Sequence, residues 1–404
     1  MTTTTTFHSI FRSIYIRQLI FNQISSISKQ LYNDGSFSDD IRQRRSLKGR
    51  DIIKLPCFDM ISIFAMPWQF LCHYLPKVII GDAKWIQLLY QRKRKLNQYC
   101  QHPNATIGTL VHLLEWSRVD FDYYLTEPNI IERTTKRDIL EYMVKRCLGR
   151  SGEYKTLLSK AMEVACMNGY LEIVKLIGPI KDIKLDTTAM DNACSNGFID
   201  IVKYLHENRT EGCTTNAMDN AANHGHLEVV KFLHLNRTEG CTENAMDFAA
   251  MNHQFEIVKF LHFNRTEGAT ASAIDMAADN GVLDNVKFLS EHRSEGATTN
   301  AMDWASSNGH YEVVKYLHEH RSEGATTNAM DMAAQNGHFE IVKFLHFNRS
   351  EGATTDAMDW AVGNGHIDIV KFLYEYRGQG ASTDAMDLAA ENGYIEIVQF
   401  LLPL

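Results

Sequence analysis

Histidine, cysteine, asparagine and tryptophan recur in this chain at fixed intervals, and each residue type carries a chemistry. His226, His310, His338 and His366 form one series and His206, His234, His262, His318 and His346 a second, with members 28 residues or a multiple of 28 apart. Imidazoles in series suggest a metal site. One ligand per unit on successive helices about 10 Å apart cannot close a shell of bonds about 2 Å long, so neither a metal nor a cofactor is expected. The cysteines lack C-x-x-C spacing, and Cys166, Cys194, Cys213 and Cys241 read as small buried hydrophobes outside disulfide reach. Asn208-Arg-Thr210, Asn236-Arg-Thr238, Asn264-Arg-Thr266 and Asn348-Arg-Ser350 fit the glycosylation pattern, yet the start of the chain is no convincing secretory signal. They are expected to be helix ends of a reduced, cytoplasmic protein. No phosphate loop, nucleophile elbow or H-E-x-x-H stands in the sequence, so no enzyme is expected.

The intervals come from a repeat. Ala-Met-Asp or a near variant begins at 161, 189, 217, 245, 273, 301, 329, 357 and 385, always 28 residues apart. Eight full units and a ninth, shortened one occupy residues 161–404. Each unit predicts two helices. The residue before Ala, as in Asn216, Asn300 or Asp356, suits an N-cap, and Asn-Gly, as in Asn336-Gly337, suits the stop of a helix of about two turns. A second helix over His338 to Arg349 places Phe339, Ile341, Val342, Phe344 and Leu345 on one face. Such a pair cannot bury that face alone, so the units must stack.

These residues resemble the ankyrin repeat. AMDxAAxNGH parallels the family's TPLHxAAxxGH, EIVKFLH its VVKLLL, and Glu351-Gly352-Ala353 the Gly-Ala after its second helix. The family's unit is about 33 residues long, and the shortfall here lies between the Gly-Ala and the next first helix, where only Ala325-Thr326-Thr327-Asn328 stand. The resemblance implies an all-α, helical-hairpin solenoid of a short, finger-less kind, and a partner-binding concave face. The domain reading is a low-complexity start, amphipathic helix and basic linker over 1–50, a helical N-terminal capping region over 51–160, and nine ankyrin-like repeats over 161–404.

Positions that vary among copies point outward. The fourth position reads Val164, Asn192, Asn220, Phe248, Met276, Trp304, Met332, Trp360 and Leu388. An unpaired buried Asn would cost about 1–3 kcal/mol, so this site is expected to be partly open. Phe248, Met276, Trp304, Met332, Trp360 and Leu388 then form either a partner-binding stripe or a packed seam. In the unit from Ala245, Asn252-His253-Gln254 replaces Asn-Gly-His, which forces a non-glycine into the helix stop and predicts a soft point. Phe400-Leu401-Leu402-Pro403-Leu404 lacks a polar outer face, which suggests self-association at that end.

Charge is divided. Residues 161–404 carry 17 Lys and Arg against 35 Asp and Glu, net −18, while residues 1–160 carry 24 against 14, net +10. The array would repel a phosphate backbone, so nucleic acid is excluded as its partner. Residues 7–31, acid-free and amphipathic, read as a helix packed on the body or as a membrane-surface or mitochondrial-targeting segment. Arg92-Lys93-Arg94-Lys95 reads as a nuclear-import patch or a solvated helix end. Leu55-Pro56 with Met60, Ile61 and Phe64 faintly resembles the opening of an F-box. The expected function is a non-enzymatic protein-interaction scaffold, with a ubiquitin-ligase substrate adaptor as the alternative.

Overall fold

The computed structural model describes residues 85–117, 136–148 and 154–402 apart from 379, together with residues 61, 65, 67–71, 75 and 134. The described elements are helices, and contacts divide the chain into two units that meet between Ala161 and Met162. The N-terminal unit is built on helices Trp85–Cys100, Ile107–Ser117 and Arg137–Leu148. They bury Leu96, Tyr99, Leu110, Leu113, Ile139, Leu140, Met143 and Val144. Lys136 Nζ donates to the carbonyl of Ala105 over 2.8 Å. The run Arg92-Lys93-Arg94-Lys95 lies in mid-helix, not at its end, and Arg92 is buried with its guanidinium 4.2 Å above the Trp116 ring. The run is thus no freely solvated patch, because its first cation is a packing group. Residues 7–31 lie outside the described residues. No described helix is long and apolar enough to cross a membrane.

In the seven units from Ala189 to Arg377 a helix of eight or nine residues, such as Thr327–Gln335, is followed by one of ten or eleven, such as Phe339–Asn348; the first unit opens on the longer Lys155–Asn168, and the first and last units close on seven-residue helices. The first helices of neighbouring units pack along their length, whereas the second helices touch at few points. Alanine makes the close approach possible. Ala217, Ala221, Ala222, Ala245, Ala249 and Ala250 are fully buried, and Met218 and Met246 beside them are buried too. Cys166, Cys194, Cys213 and Cys241 are buried free thiols, as expected; burial pushes Cys166 and Cys241 up to about 12 and Cys213 to about 11.

The cap is not where the sequence suggested. In Thr299–Ser307 and Thr327–Gln335 the caps are Thr298 and Thr326, two positions before Asn300 and Asn328, and Thr214 and Thr242 accept in the same way from the amides of Asn216 and Asn244. Thr298 Oγ1 accepts from the amide of Asn300, and Thr326 Oγ1 from that of Asn328. The same hydroxyl donates back to the preceding first helix. Asp275 accepts from both the amide and the hydroxyl of Thr298, at 2.8 and 2.6 Å, and Asp303 does the same for Thr326. Equivalent links join Asp191 to Thr214, Asp219 to Thr242, Asp247 to Thr270 and Asp331 to Thr354. The Asp of the triplet therefore holds the next unit's cap, and burial raises Asp219, Asp247 and Asp303 above the usual carboxylate range against the pull of those bonds.

A second ladder runs along the helix exits. Arg237, Arg265, Arg321 and Arg349 each pair with the Glu two residues on, and that Glu accepts from a backbone amide of the preceding unit, as Glu323 does from Ala297 over 3.1 Å. With the Arg hydrogen bond and backbone amides outweighing burial, Glu239, Glu267, Glu323 and Glu351 are held at about 2.

Glycine at the helix stop answers two demands. Gly337 has φ 79°, and a Cβ there would lie 2.6 Å from the His366 ring of the next unit. His253 takes the same left-handed conformation, φ 62°, without being glycine. Its neighbours are altered to match. The next unit's ring position is Val282, and its amide does not make the turn bond to the third residue back that Gly225 and Gly281 make. The carbonyl this would leave unpaired, that of Ala250, accepts instead from Asn285 Nδ2 over 2.7 Å. Asn285 is fully buried at a position held elsewhere by Val or Ile, and its own Oδ1 has no partner. His253, Val282 and Asn285 are one compensated set.

Two measurements follow from these contacts. Asn285→Val alone should lower stability by about 1–2 kcal/mol by stranding the Ala250 carbonyl, but in a His253→Gly background, where the glycine amide takes that bond, it should be neutral or stabilising. Equal effects in both backgrounds, by urea unfolding, would show the sites to be independent. On the pH axis, burial lowers His262 and His346, so the unfolded chain takes up protons first and stability should fall as pH drops through about 6.5. A His262→Phe/His346→Phe chain should show a shallower fall of the urea midpoint between about pH 7.5 and 5.5.

Candidate functional site

The histidine series are packing groups. His310, His338 and His366 place Nε2 3.0–3.1 Å from the carbonyls of Asp279, Ser307 and Gln335 in the preceding unit, so each donates there and closes a helix end. His206, His234, His262, His318 and His346 set their rings edge-on to an aromatic ring of the next unit at 5.3–5.5 Å. Among the described residues, no three His, Cys, Asp or Glu side chains converge as metal ligands would.

The fourth-position residues stand on the first helices. Phe248, Met276, Met332 and Trp360 are half-buried, while Trp304 and Leu388 are 39% and 46% exposed. None of the six is buried, whereas the second, fifth and sixth positions are buried in the five first helices that carry Phe248 to Trp360. Leu388 leans back on the preceding unit: an added Cβ on Gly363 would meet Leu388 Cδ2 at 2.9 Å. The stripe is thus partly supported by its neighbours and partly open to solvent, with one large apolar side chain per unit and no gap from Phe248 to Leu388. Asn192 and Asn220 take the same half-buried position in the earlier units.

Two features of this face escaped the sequence reading. The eighth position is Asn in most units, and its amide reaches back to the preceding unit: Asn308 Nδ2 to the Asp279 carbonyl at 3.0 Å, Asn336 to that of Ser307 at 2.7 Å, Asn364 to that of Gln335 at 3.2 Å. With the nitrogen committed, the carboxamide oxygen stands as an acceptor one helical turn from the stripe. The regularity of Asn at this position was the available signal. The second feature is charge segregation. From Thr188 onward no first helix contains Lys or Arg, while Asp279, Asp356, Asp384 and Glu391 stand on them. The cations sit on the second helices, where Lys231 and Lys259 pair with Glu228 and Glu256.

The second-helix face also shows apolar groups, Leu235, Phe263 and Phe347 at 77%, 68% and 57% exposure, but they are interrupted by Glu291 and Glu319 at the equivalent position. At the end of the array Ile395 and Leu402 are exposed. Of the segment with the faint F-box likeness the structure describes Ile61, which is buried, and Ala65; the rest lies outside the described residues.

Comparison with known families matches a model described as ankyrin repeats in three copies to residues 330–404, and one described as ankyrin repeats in many copies to residues 218–262, 274–318 and 302–346. No curated protein matches the chain.

The acidic first-helix face should be visible to ionic quenchers. Caesium should quench the fluorescence that is lost on Trp304→Phe/Trp360→Phe more strongly than iodide does, at low salt. Equal quenching by both ions would remove the charge asymmetry from this face.

Proposed function

The repeats of this chain are ankyrin repeats, modules that generally bind proteins, and we propose that the array is a non-enzymatic scaffold whose partner lies along the face of its first helices. One observation carries the proposal: the unbroken, half-open stripe Phe248, Met276, Trp304, Met332, Trp360 and Leu388. Large apolar side chains exposed in a contiguous row are costly to leave in water, and Trp is among the residues that most often dominate interface energetics. The polar groups that surround the row, the Asn oxygens and the carboxylates, are the rim such an interface needs. The second-helix face offers less, because its apolar groups are broken by glutamates, and Lys231 and Lys259 are paired with Glu228 and Glu256.

The net charge of −18 over the array selects against polyanions and for cationic protein surfaces, by steering encounter as well as by contact. Reading the N-terminal region as a ubiquitin-ligase recruiting segment has no support among the described residues. Affinity capture from lysate with the intact chain and a Trp304→Ala/Trp360→Ala chain of unchanged helicity provides the test. The double variant should lose its specific partners, since truncating two anchors costs about 2 kcal/mol or more each. Capture of the same partners by both chains would move the partner surface off the stripe.

A further inference from the structure

The face of the first helices is not the same from end to end. Three rows share it by helical spacing: the residue before the triplet, the fourth position, and the seventh. In the units from Ala189 and Ala217 these rows hold neutral polar groups, Thr188, Asn192 and Ser195, then Asn216, Asn220 and Asn223. In the next four units the middle row is apolar, with Phe248, Met276, Trp304 and Met332, and its flanks stay neutral apart from Asp279. Glu243 lies outside these rows, at the helix start. In the last two units the middle row remains apolar, Trp360 and Leu388, while the flanks turn acidic: Asp356, Asp384 and Glu391 are all exposed.

Asp279 is engaged within the chain, since its Oδ1 accepts from Asn308 over 2.7 Å. Among the described residues no hydrogen bond or ion pair uses the side chains of Asp356, Asp384 or Glu391, and the two first helices that carry them hold no Lys or Arg. Nor does the fold account for these acids. Asn216, Asn244, Asn300 and Asn328 take the place of Asp356 in other units, and Gln335 takes that of Glu391. Glu391 closes the helix Thr383–Glu391, where the macrodipole disfavours a carboxylate. Burial raises the carboxyl of Asp331, and the charge of Asp356 adds to that rise against the bonds from Thr354. These are carboxylates that cost the fold something and stand beside exposed apolar anchors.

Complementary charge fixes the register and orientation of a partner more than it adds affinity. We propose that the stripe takes a polypeptide segment of two-part composition in one orientation only, with a cluster of Lys and Arg over Asp356, Asp384 and Glu391 and an uncharged apolar run over Trp304, Met276 and Phe248. Asn192 and Asn220 then mark where the apolar run stops. Charge sets this orientation whatever backbone conformation the segment takes. The proposal rests on the stripe being the partner surface.

The test uses the full chain and a synthetic peptide with a leucine-rich half and an arginine-rich half, together with its counterpart carrying Gln for every Arg. Binding is followed by fluorescence anisotropy near physiological salt, and a photoreactive group at either end of the peptide is mapped by mass spectrometry. The Arg peptide should bind at least about tenfold more tightly than the Gln peptide. Asp356→Asn/Asp384→Asn/Glu391→Gln, which installs residues that other units carry, should weaken it by about tenfold. Glu291→Gln/Glu319→Gln/Glu375→Gln, the same change of net charge on the second helices, should weaken it less than about twofold. The group beside the arginines should mark residues 356–391, and the group at the leucine end residues 220–304. Equal weakening by the two charge variants, equal binding of the two peptides, or marks at both ends from either group would overturn the orientation. Loss of binding in Trp304→Ala/Trp360→Ala would still leave the stripe as the partner surface in those cases. Binding indifferent to that double variant would overturn the stripe as well. Dimerisation of the chain that the double variant abolishes would give the face to a second copy and overturn the proposal.

Discussion

Everything in the array depends on a threonine hydroxyl that donates to one helix while it accepts from the next. Thr298 gives its proton to Asp275 and takes the amide of Asn300, and with Thr214, Thr242, Thr270, Thr326 and Thr354 it anchors the start of its first helix on the helix before. The hydroxyl is the one small side chain that can do both, and the loop that carries it is too short for any other device. With the register fixed by this relay, the alanines meet, the rings of one unit cover the glycines of the last, and the Arg–Glu pairs fall opposite backbone amides. The costly element is the carboxylate, which burial disfavours and the two bonds restore.

That arrangement also decides which face can work. Because capping and packing occupy the second, third, fifth and sixth positions of the first helix, variation is confined to the fourth and seventh, which line up from unit to unit. A cation at these positions would sit beside the buried carboxylates and compete for the relay, which gives a structural reason for their absence from the first helices. The cations are displaced to the second helices, where Lys231 and Lys259 each find a carboxylate one turn away. The acidic, apolar face and the neutralised, mixed face are thus two results of one constraint.

The repeat length, the paired helices and the half-open fourth position were legible in the sequence, since each rests on local periodicity. Met, Ala and Cys at constant positions announced the core. The cap was misplaced by two residues because Asn at the helix start has the right chemistry, and nothing local shows that Thr, tied to an Asp 23 residues away, already does the work. The same distance hid the partners of the exit glutamates and of the eighth-position asparagines, whose acceptors belong to another unit. The basic run in the N-terminal region read as solvated because no local pattern foretells that Arg92 lies over Trp116. Bonds within a unit leave a periodic trace; bonds between units leave only a conserved spacing in the chain.

The set formed by His253, Val282 and Asn285 spans two neighbouring units, and it makes those units unequal to the others as pieces of heritable material. A recombination event that excises or duplicates a whole 28-residue copy elsewhere in the array restores every junction, since donor and acceptor sites are alike. Excision of the copy from Ala245 alone would leave Asn285 buried without its acceptor, and excision of the copy from Ala273 alone would set His253 against a histidine ring. The pair has to be gained or lost together. Along a chain that looks freely extensible, these two copies form a linkage block of 56 residues, twice the 28-residue period.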